Sequence, residues 1–226
     1  EGVHATFFVL GWVAKRSPQL VRDIHAAGHE VACHGLTHRT VYTQTPEVFR
    51  AETSEAKQRL EDTTGVPVRG YRAATYSITA RSLWALDILE ELGFSYDSSI
   101  FPIRHDLYGI PGSPRFAYRA ASGSLLEVPI TTVEYLGQRL PAGGGGYFRL
   151  LPYALFRAAV RRVNTRDRQA AVFYCHPWEI DPGQPRVAGV SAKSRFRHYT
   201  NLDRMESRLR RLLRDFRWGR MDEVFG

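Results

Sequence analysis

This sequence of 226 residues contains few cysteines, almost no lysine and no long hydrophobic run. The longest apolar stretch, residues 5–14, has about half of the roughly 20 residues that a transmembrane helix needs. No membrane span is therefore predicted. Two cysteines, Cys33 and Cys175, are too few for a disulfide scaffold, and they do not indicate a reducing or an oxidising compartment.

The charge and composition are those of a globular protein. Hydrophobic residues make up 43% and charged residues 24%, which excludes a disordered or collagen-like chain. The net charge is +8, and all but three of the basic residues are arginine. Near the C-terminus arginines alternate with an apolar stripe, which is typical of the solvated face of a packed helix. No aromatic-basic motif accompanies the charge, so we expect no nucleic acid as a partner.

Strand-like and helix-like segments alternate along the chain with short connections. Such alternation predicts an α/β fold with a parallel sheet. The predicted strands cover residues 5–10, 30–33, 68–71, 94–96, 125–130, 132–136 and 171–175. The predicted helices cover residues 17–28, 45–65, 79–92, 152–163 and 201–216. The glycines at 143–146 match no phosphate-binding spacing, and we interpret them as a flexible loop beside a site.

Polar residues follow three predicted strands at their carboxyl ends, where parallel α/β sheets carry functional side chains. His34 and His38 follow the second strand, Arg72 follows the third, and His176 follows the strand at 171–175. A spacing of four lets two imidazoles bind one metal ion across a turn, although chance alone would give about 0.25 such pairs. The alternatives are an Arg72 paired with a surface carboxylate and a His176 packed in the core.

Each cysteine directly precedes one of these histidines, which raises the question of a four-ligand zinc site. Adjacent residues of a strand point to opposite faces. If His34 and His176 face the site, Cys33 and Cys175 therefore face away from it. We expect both cysteines to pack as small apolar side chains.

Four segments together resemble the NodB-homology polysaccharide deacetylases, also called carbohydrate esterase family four. These segments are Ala5-Thr6-Phe7-Phe8-Val9, His34-Gly35-Leu36-Thr37-His38, Gly70-Tyr71-Arg72-Ala73-Ala74 and Tyr174-Cys175-His176-Pro177-Trp178. They occur in the family's order and span nearly the whole chain. Two more segments resemble the subgroup found with bacterial exosortase/PEP-CTERM exopolysaccharide loci, namely Tyr96-Asp97-Ser98-Ser99-Ile100-Phe101-Pro102 and Phe196-Arg197-His198-Tyr199.

The resemblance implies a deformed (β/α) barrel and a metal-dependent hydrolase that removes N-acetyl groups from amino sugars of a bacterial exopolysaccharide. A divalent metal, Zn²⁺, would be held by His34, His38 and an aspartate. Arg72 would hold the aspartate that acts as general base, and His176 would protonate the departing amine. Asp97 is a further catalytic candidate, since it could tune His176. The expected partner is an N-acetylated polysaccharide, and the oligomeric state and the bacterial compartment (cytoplasm or periplasm) stay open.

Three departures from the family pattern modify this expectation. Gly35 stands where the family usually has serine or threonine, and Ala74 replaces a common proline. The family's aspartate pair supplies the general base and the third metal ligand, and it would lie before Glu1 together with the first strand and helix of the barrel. We therefore expect this chain alone to be inactive or nearly so.

The remaining expectations concern organisation and alternative functions. We expect one NodB-like domain over residues 1–226, with a loop and strand insertion at 100–150 and a helical extension at 190–226. The alternative function is a noncatalytic carbohydrate-binding relative of the same fold. Among enzymes, the same scaffold also hydrolyses other amide bonds, such as those of cyclic ureides.

Overall fold

The computed structural model describes residues 2–120 and 123–226, and these residues divide into two compact units. The first, called the N-terminal unit, comprises residues 2–129 and 218–226. The second, called the C-terminal unit, comprises residues 130–217. The single domain with an insertion and a helical extension stays a prediction. Within the described residues, no helix combines the length and the apolar character that crossing a membrane requires.

A mostly parallel sheet forms the centre of the N-terminal unit. Its strands are β1 (Thr6–Val9), β2 (Glu30–Cys33), β3 (Gly70–Tyr71), β4 (Tyr96–Asp97), β5 (Tyr118–Arg119) and β6 (Leu126–Glu127). They are ordered β1-β2-β3-β4-β6-β5. Neighbours from β1 to β6 are parallel, whereas β5 pairs with β6 in the antiparallel sense. The predicted α/β fold is confirmed, with β1 and β5 at the two edges of the described sheet.

Helices connect the strands and make up most of the C-terminal unit. Their bounds are α1 (Gly11–Arg16), α2 (Pro18–Ala26), α3 (Pro46–Thr64), α4 (Trp84–Glu91), α5 (Gly145–Leu150), α6 (Tyr153–Arg162), α7 (Ala192–Tyr199), α8 (Met205–Asp215) and α9 (Met221–Phe225). Helix α3 shows why these bounds follow from sequence. The Thr45 hydroxyl accepts the Val48 N–H at its start, and Gly65 ends it at a φ of 74°, which glycine adopts without strain.

The predicted cap of α4 is wrong. The sequence indicates Thr79 as the start of this helix, but the helix begins at Trp84. The backbone N–H of Thr79 instead donates to Ser82 Oγ at 2.9 Å, and Ser82 Oγ donates to the Ser77 carbonyl at 3.0 Å. Side-chain hydrogen bonds of this kind compete with helix formation, so the segment forms a separate turn.

The core of the N-terminal unit fixes the strand that carries Arg72. Phe49 and Leu60 of α3 and Leu89 of α4 are almost completely buried. Phe49 also contacts Tyr71 of β3 edge-on, with ring centroids 5.9 Å apart. Burial of each such side chain contributes roughly 1.5–3 kcal/mol to stability. The end of β3 is therefore held by packing from the helices.

The C-terminal unit contains a β-hairpin and an aromatic cluster. Strand β7 (Thr132–Tyr135) pairs antiparallel with β8 (Gln138–Pro141). The two turn residues, Leu136 and Gly137, both have positive φ, as the commonest two-residue hairpin turn requires. Beyond the hairpin, the ring of Phe148 in α5 lies 4.8 Å from that of Phe156 in α6 and 5.1 Å from that of Phe173.

The strand predicted at 171–175 is wrong in its extent. Among the described residues of this segment, Tyr174 alone forms a β-bridge, and its partner is Gly144. The backbone N–H of Val172 donates to Thr131 Oγ1 at 2.6 Å, so a side chain takes the hydrogen bond that a neighbouring strand would accept. The segment is therefore extended but is not part of a regular ladder.

The first three glycines of 143–146 are packed and the last is exposed, and the run leads into a helix instead of forming the predicted loop. Gly145 and Gly146 belong to α5. A Cβ on Gly143 would lie 2.6 Å from the Val172 carbonyl oxygen, and one on Gly144 would lie 2.8 Å from the Tyr174 hydroxyl. Glycine is needed here because other chain segments approach the backbone closely.

Candidate active site

The carboxyl ends of adjacent strands bring the first set of candidate residues together. Backbone hydrogen bonds continue beyond the strands: the N–H of Arg72 donates to the Cys33 carbonyl, and that of Ser98 donates to the Tyr71 carbonyl, both at 2.9 Å. His34 directly follows β2 and Arg72 directly follows β3. The parallel pairing thus places both at the same edge of the sheet, as the sequence predicts.

His34 and His38 form a pair with defined ring geometry. Their ring centroids are 5.1 Å apart and their planes are close to perpendicular. His34 Nδ1 lies 2.6 Å from the Arg72 carbonyl oxygen, which can only accept a hydrogen bond. The proton of the neutral imidazole therefore resides on Nδ1, and Nε2 carries the lone pair. A hydrogen bond from the far nitrogen to a carbonyl is how metal-binding histidines are usually oriented.

The turn between the two histidines explains one departure from the family pattern. Gly35 has a φ of 81° and His38 a φ of 62°, both in the left-handed region. A Cβ on Gly35 would approach Tyr71 Oη to 3.7 Å, an ordinary contact, so space does not exclude a side chain there. The backbone conformation is what favours glycine at this position.

The donor set fits a zinc ion in part. Two imidazoles are half of a tetrahedral zinc site. Within residues 2–120 and 123–226, no group of three histidine, cysteine, aspartate or glutamate side chains could hold a metal. Cys33 does not complete the pair, since it is fully buried and burial raises the pKa of its thiol to about 12. Burial likewise raises the pKa of Cys175 to about 12, and neither cysteine is in a disulfide.

Arg72 is a buried residue. It is 7% exposed, and its guanidinium carbon lies 4.0 Å from the centroid of the Phe8 ring. Its Nε donates to the Ser98 carbonyl at 3.0 Å, and Nη2 donates to Ser98 Oγ at 2.8 Å. The guanidinium is thus fixed beside the carboxyl edge of the sheet. Its role of holding the aspartate that acts as general base stays a prediction.

Asp97 lies in a buried carboxyl pair that the sequence does not reveal. It is opposite Glu127 in the register of β4 and β6, and neither residue is exposed to solvent. Ser99 Oγ donates to Asp97 Oδ1 at 2.5 Å, and the Ile100 N–H donates to Glu127 Oε1 at 3.0 Å. Burial raises the pKa of both carboxyls, and the charge of Asp97 raises that of Glu127 further. The tuning of His176 by Asp97 stays a prediction.

His176 lies in the C-terminal unit, next to a carboxylate. It precedes a short 3₁₀ turn, Pro177–Ile180, and its side chain is 49% exposed, so it is not packed in the core. Glu179 Oε1 is 3.0 Å from His176 Nδ1 and accepts the His176 backbone N–H at 2.9 Å. Glu179 Oε2 accepts from Arg149 Nε at 2.9 Å, and both of these side chains are 2% exposed. His176 is thus attached to a buried ion pair.

Two family descriptions match adjoining parts of the chain. Residues 1–96 match the family described as polysaccharide deacetylase, and residues 98–226 match a domain of unknown function, DUF3473. The first match contains His34, His38 and Arg72. The chain belongs to the DUF3473 family, whose description covers more than half of it, and its residues 1–96 are similar to the polysaccharide deacetylases. His176 and Glu179 lie in the DUF3473 part of the chain.

Curated relatives match short parts of the chain. The chitooligosaccharide deacetylase of Sinorhizobium fredii is 61% identical over 36 residues, which are 16% of this chain and 17% of that protein. The chitooligosaccharide deacetylase of a Bradyrhizobium species is 32% identical over 87 residues, 38% of this chain and 37% of that protein. The chain thus spans well under half the length of these curated relatives.

Solved structures share the fold over nearly the whole chain. A Mycobacterium smegmatis protein assigned to the polysaccharide deacetylases has a TM-score of 0.60 and 23% identity, over 98% of this chain and 70% of that one. A Bacillus anthracis CE4 family pseudoenzyme has a TM-score of 0.53 and 16% identity, over 99% and 56% of the two chains. PuuE allantoinase has a TM-score of 0.56 and 16% identity, over 97% and 65%. Likeness at such identities shows the fold alone.

Sequence reasoning missed three buried charged residues. Glu179 had only part of a signal, since a capping box has glutamate three residues after its first residue, but that residue is His176 here and not serine or threonine. Glu127 and Arg149 had none. One is a carboxylate in a strand-like segment and the other is one of many arginines, and only the fold shows that both are buried.

Proposed function

We propose that this protein is a zinc-dependent deacetylase that removes N-acetyl groups from amino sugars of a bacterial exopolysaccharide. The observation that carries the proposal is the His34–His38 pair, in which the Nδ1 hydrogen bond to the Arg72 carbonyl leaves Nε2 as the lone-pair nitrogen. A half-buried His34 and an exposed His38 at a strand end suit an ion that must meet a polymeric substrate.

The substrate class is proposed from two sources. Relatives that share part of the sequence are chitooligosaccharide deacetylases, whose substrates carry N-acetyl groups on sugars. The segments at 96–102 and 196–199 resemble the subgroup associated with exopolysaccharide loci. We therefore assign an N-acetylated exopolysaccharide as the substrate, with an amine on the sugar and acetate as the products.

The residues of this chain have separate tasks in the proposed reaction. His34 and His38 hold the metal; when bound, Zn²⁺ activates the acetamide carbonyl and acidifies a water molecule. Arg72 is fixed by Ser98 and would hold the aspartate that acts as general base. His176 transfers a proton to the nitrogen that leaves as an amine, because an amine expelled without a proton is a poor leaving group.

The proposal includes slow turnover by this chain alone. The described residues supply two histidine ligands and no third protein ligand beside them. Zinc enzymes of this type use three protein ligands and keep a fourth position for water. We expect weak zinc binding by the 226-residue chain and little acetate release from it.

Calorimetric titration of Zn²⁺ into the chain tests the proposal. We expect measurable binding that is lost when His34→Ala and His38→Ala are combined. The matched control is His25→Ala, a histidine of α2, which should bind zinc like the unsubstituted chain.

Zinc binding that is unchanged in the double variant would show that the pair is not a metal site and would overturn the proposal. The noncatalytic alternative then gains support if the chain still binds N-acetylglucosamine oligomers without zinc. Acetate release from such oligomers at an ordinary enzyme rate by this chain would instead contradict the expected slow turnover.

A further inference from the structure

The carboxylate of Glu179, beside His176, is contacted by several groups of the C-terminal unit. Arg149 Nε donates to Glu179 Oε2 at 2.9 Å, and the same guanidinium donates to the carbonyls of Thr200 at 2.5 Å and His198 at 3.1 Å. Gly145 also lies against this carboxylate, since a Cβ on Gly145 would lie 2.4 Å from Glu179 Oε2. The absence of a side chain at 145 thus makes room for the carboxylate, while Arg149 fixes its direction.

Glu179 is ionised in this setting. Burial pushes the pKa of Glu179 upward, but the hydrogen bonds from His176 and the hydrogen bond and charge of Arg149 outweigh burial and hold that pKa below its usual value. An ionised carboxylate has no proton to donate and can only accept. The contact of 3.0 Å between His176 Nδ1 and Glu179 Oε1 therefore requires the imidazole proton on Nδ1.

The ring of His176 is also held in its plane. Trp178 stacks on it with ring centroids 5.4 Å apart and an angle of 16° between the planes. The ring of His198 stacks in turn on Trp178, with ring centroids 4.0 Å apart. Nδ1 of His176 faces Glu179, whose side chain is 2% exposed, whereas the His176 side chain is 49% exposed.

We propose that Glu179 is the positioning residue of His176, and that it fixes the Nδ1–H tautomer so that Nε2 exchanges the catalytic proton. The role rests on the proposed deacetylase function, in which His176 is the acid. In the proton transfer, the Nε2–H bond of the imidazolium breaks and an N–H bond forms on the leaving nitrogen. The ring is then neutral, with its remaining proton on Nδ1. Arg149 and Gly145 serve this arrangement by keeping the carboxylate ionised and in place.

Nitrogen NMR of the histidine side chains tests the tautomer directly in the unsubstituted chain, without zinc or substrate. We expect His176 to show a protonated Nδ1 and an unprotonated Nε2 in its neutral form. In Glu179→Gln the single amide oxygen either accepts from Arg149, which turns an N–H group toward His176 Nδ1, or faces His176 without a negative charge. In both orientations the acceptor for the Nδ1 proton is lost or weakened. The ratio of the Nδ1–H to the Nε2–H tautomer should then fall by about tenfold or more, as expected for the loss of a hydrogen bond to a charged group.

The control is Glu206→Gln, an exposed glutamate of α8 that pairs with Arg210, which should leave the His176 tautomer unchanged. If Glu179→Gln does not fold, Glu179→Asp retracts the carboxylate by one methylene group and should also lower the ratio. A neutral His176 with its proton on Nε2 in the unsubstituted chain, or a ratio unaffected by the folded Glu179 variants, would overturn the proposal.

Failure of the deacetylase proposal gives a different result. It shows as zinc binding that does not depend on His34 and His38, and it leaves the tautomer signals of His176 as they are. If the unsubstituted chain binds zinc through His34 and His38 but its His176 lacks the Nδ1–H tautomer, only the role of Glu179 is overturned.

Discussion

The two candidate histidine sites of this protein differ in what their Nδ1 atoms contact. In the N-terminal unit, His34 Nδ1 is bonded to a backbone carbonyl, the oxygen of Arg72. In the C-terminal unit, His176 Nδ1 faces the carboxylate of Glu179. The acceptor at His34 is uncharged, whereas the acceptor at His176 is a carboxylate that Arg149 also contacts. The same residue type thus meets a different acceptor in each site.

The two sites also differ in what holds the neighbour in place. The Arg72 carbonyl is fixed by the hydrogen-bonded ladder between β2 and β3, which any side chains of suitable size can support. Glu179 is fixed by a buried ion pair and by the absence of a side chain at Gly145. The C-terminal site should therefore be the more sensitive of the two to single substitutions.

The largest effect is expected from Arg149→Met. This change leaves the Glu179 carboxylate buried without its counterion and removes donors from the carbonyls of His198 and Thr200. Breaking a buried ion pair from one side costs about 3–5 kcal/mol. Urea unfolding measures the loss. The control Arg210→Met removes an exposed pair with Glu206 and should cost less than about 0.5 kcal/mol.

A cost of Arg149→Met no larger than that of the control would contradict the importance of the ion pair. The two histidine sites would then tolerate single substitutions equally well. It would no longer matter whether the acceptor at Nδ1 is fixed by backbone hydrogen bonds or by a buried ion pair.

A smaller effect is expected from Gly145→Ala, which adds one methyl group against Glu179 Oε2. Crowding of this kind costs about 1–3 kcal/mol. The neighbouring Gly146→Ala is the matched control, since a Cβ there would meet nothing within 4 Å and the residue lies in α5. Alanine in a helix is favoured over glycine, so the control should gain roughly 0.5–1 kcal/mol. Opposite signs in thermal or urea unfolding support the packing, and equal signs would refute it.

The smallest expected effect is a change in the pH dependence of the free energy of unfolding, and it concerns Glu127 of the N-terminal unit. The folded-state pKa of Glu127 is raised by burial and by the charge of Asp97. A raised carboxyl pKa contributes stability that is present at low pH and is lost as the pH rises through the folded-state value. Glu127→Gln mimics the protonated acid, so its stability relative to the unsubstituted protein should increase with pH.

Urea unfolding between pH 5 and pH 8 measures this difference, which changes by at most about 1.4 kcal/mol per pH unit for one proton. The exposed Glu55→Gln in α3 is the control and should show the slope of the unsubstituted protein. A Glu127→Gln slope that matches this control would mean that Glu127 is ionised throughout.

Local sequence signals predicted the N-terminal unit well because its elements depend on local chemistry. The cap at Thr45, the left-handed Gly65 and the apolar strands at 6–9 and 30–33 are all readable from the chain. The resemblance to the deacetylases also rested on residues that lie at strand ends, and the structure brings His34, His38 and Arg72 together there. Thr79 is an exception, because the side chain of Ser82 captured its backbone N–H.

Prediction was poorer in the C-terminal unit, where tertiary contacts decide local structure. The segment at 171–175 has strand composition, but its backbone partners are Thr131 and the glycines at 143–144. The glycine run suggested mobility, whereas close approach of Val172, Tyr174 and Glu179 explains it. Neither fact is visible in composition, since both depend on residues distant in the chain.

The sequence by itself determined the α/β class, the order of the elements and the histidines at 34, 38 and 176, because these follow from periodicity, caps and motif spacing. Only the tertiary structure decided which atoms those histidines face. The carbonyl of Arg72, directly after β3, reaches His34, and an arginine 30 residues before Glu179 makes that carboxylate a stable neighbour of His176. Burial and charge pairing act through space, so the protonation of a side chain is decided by the fold.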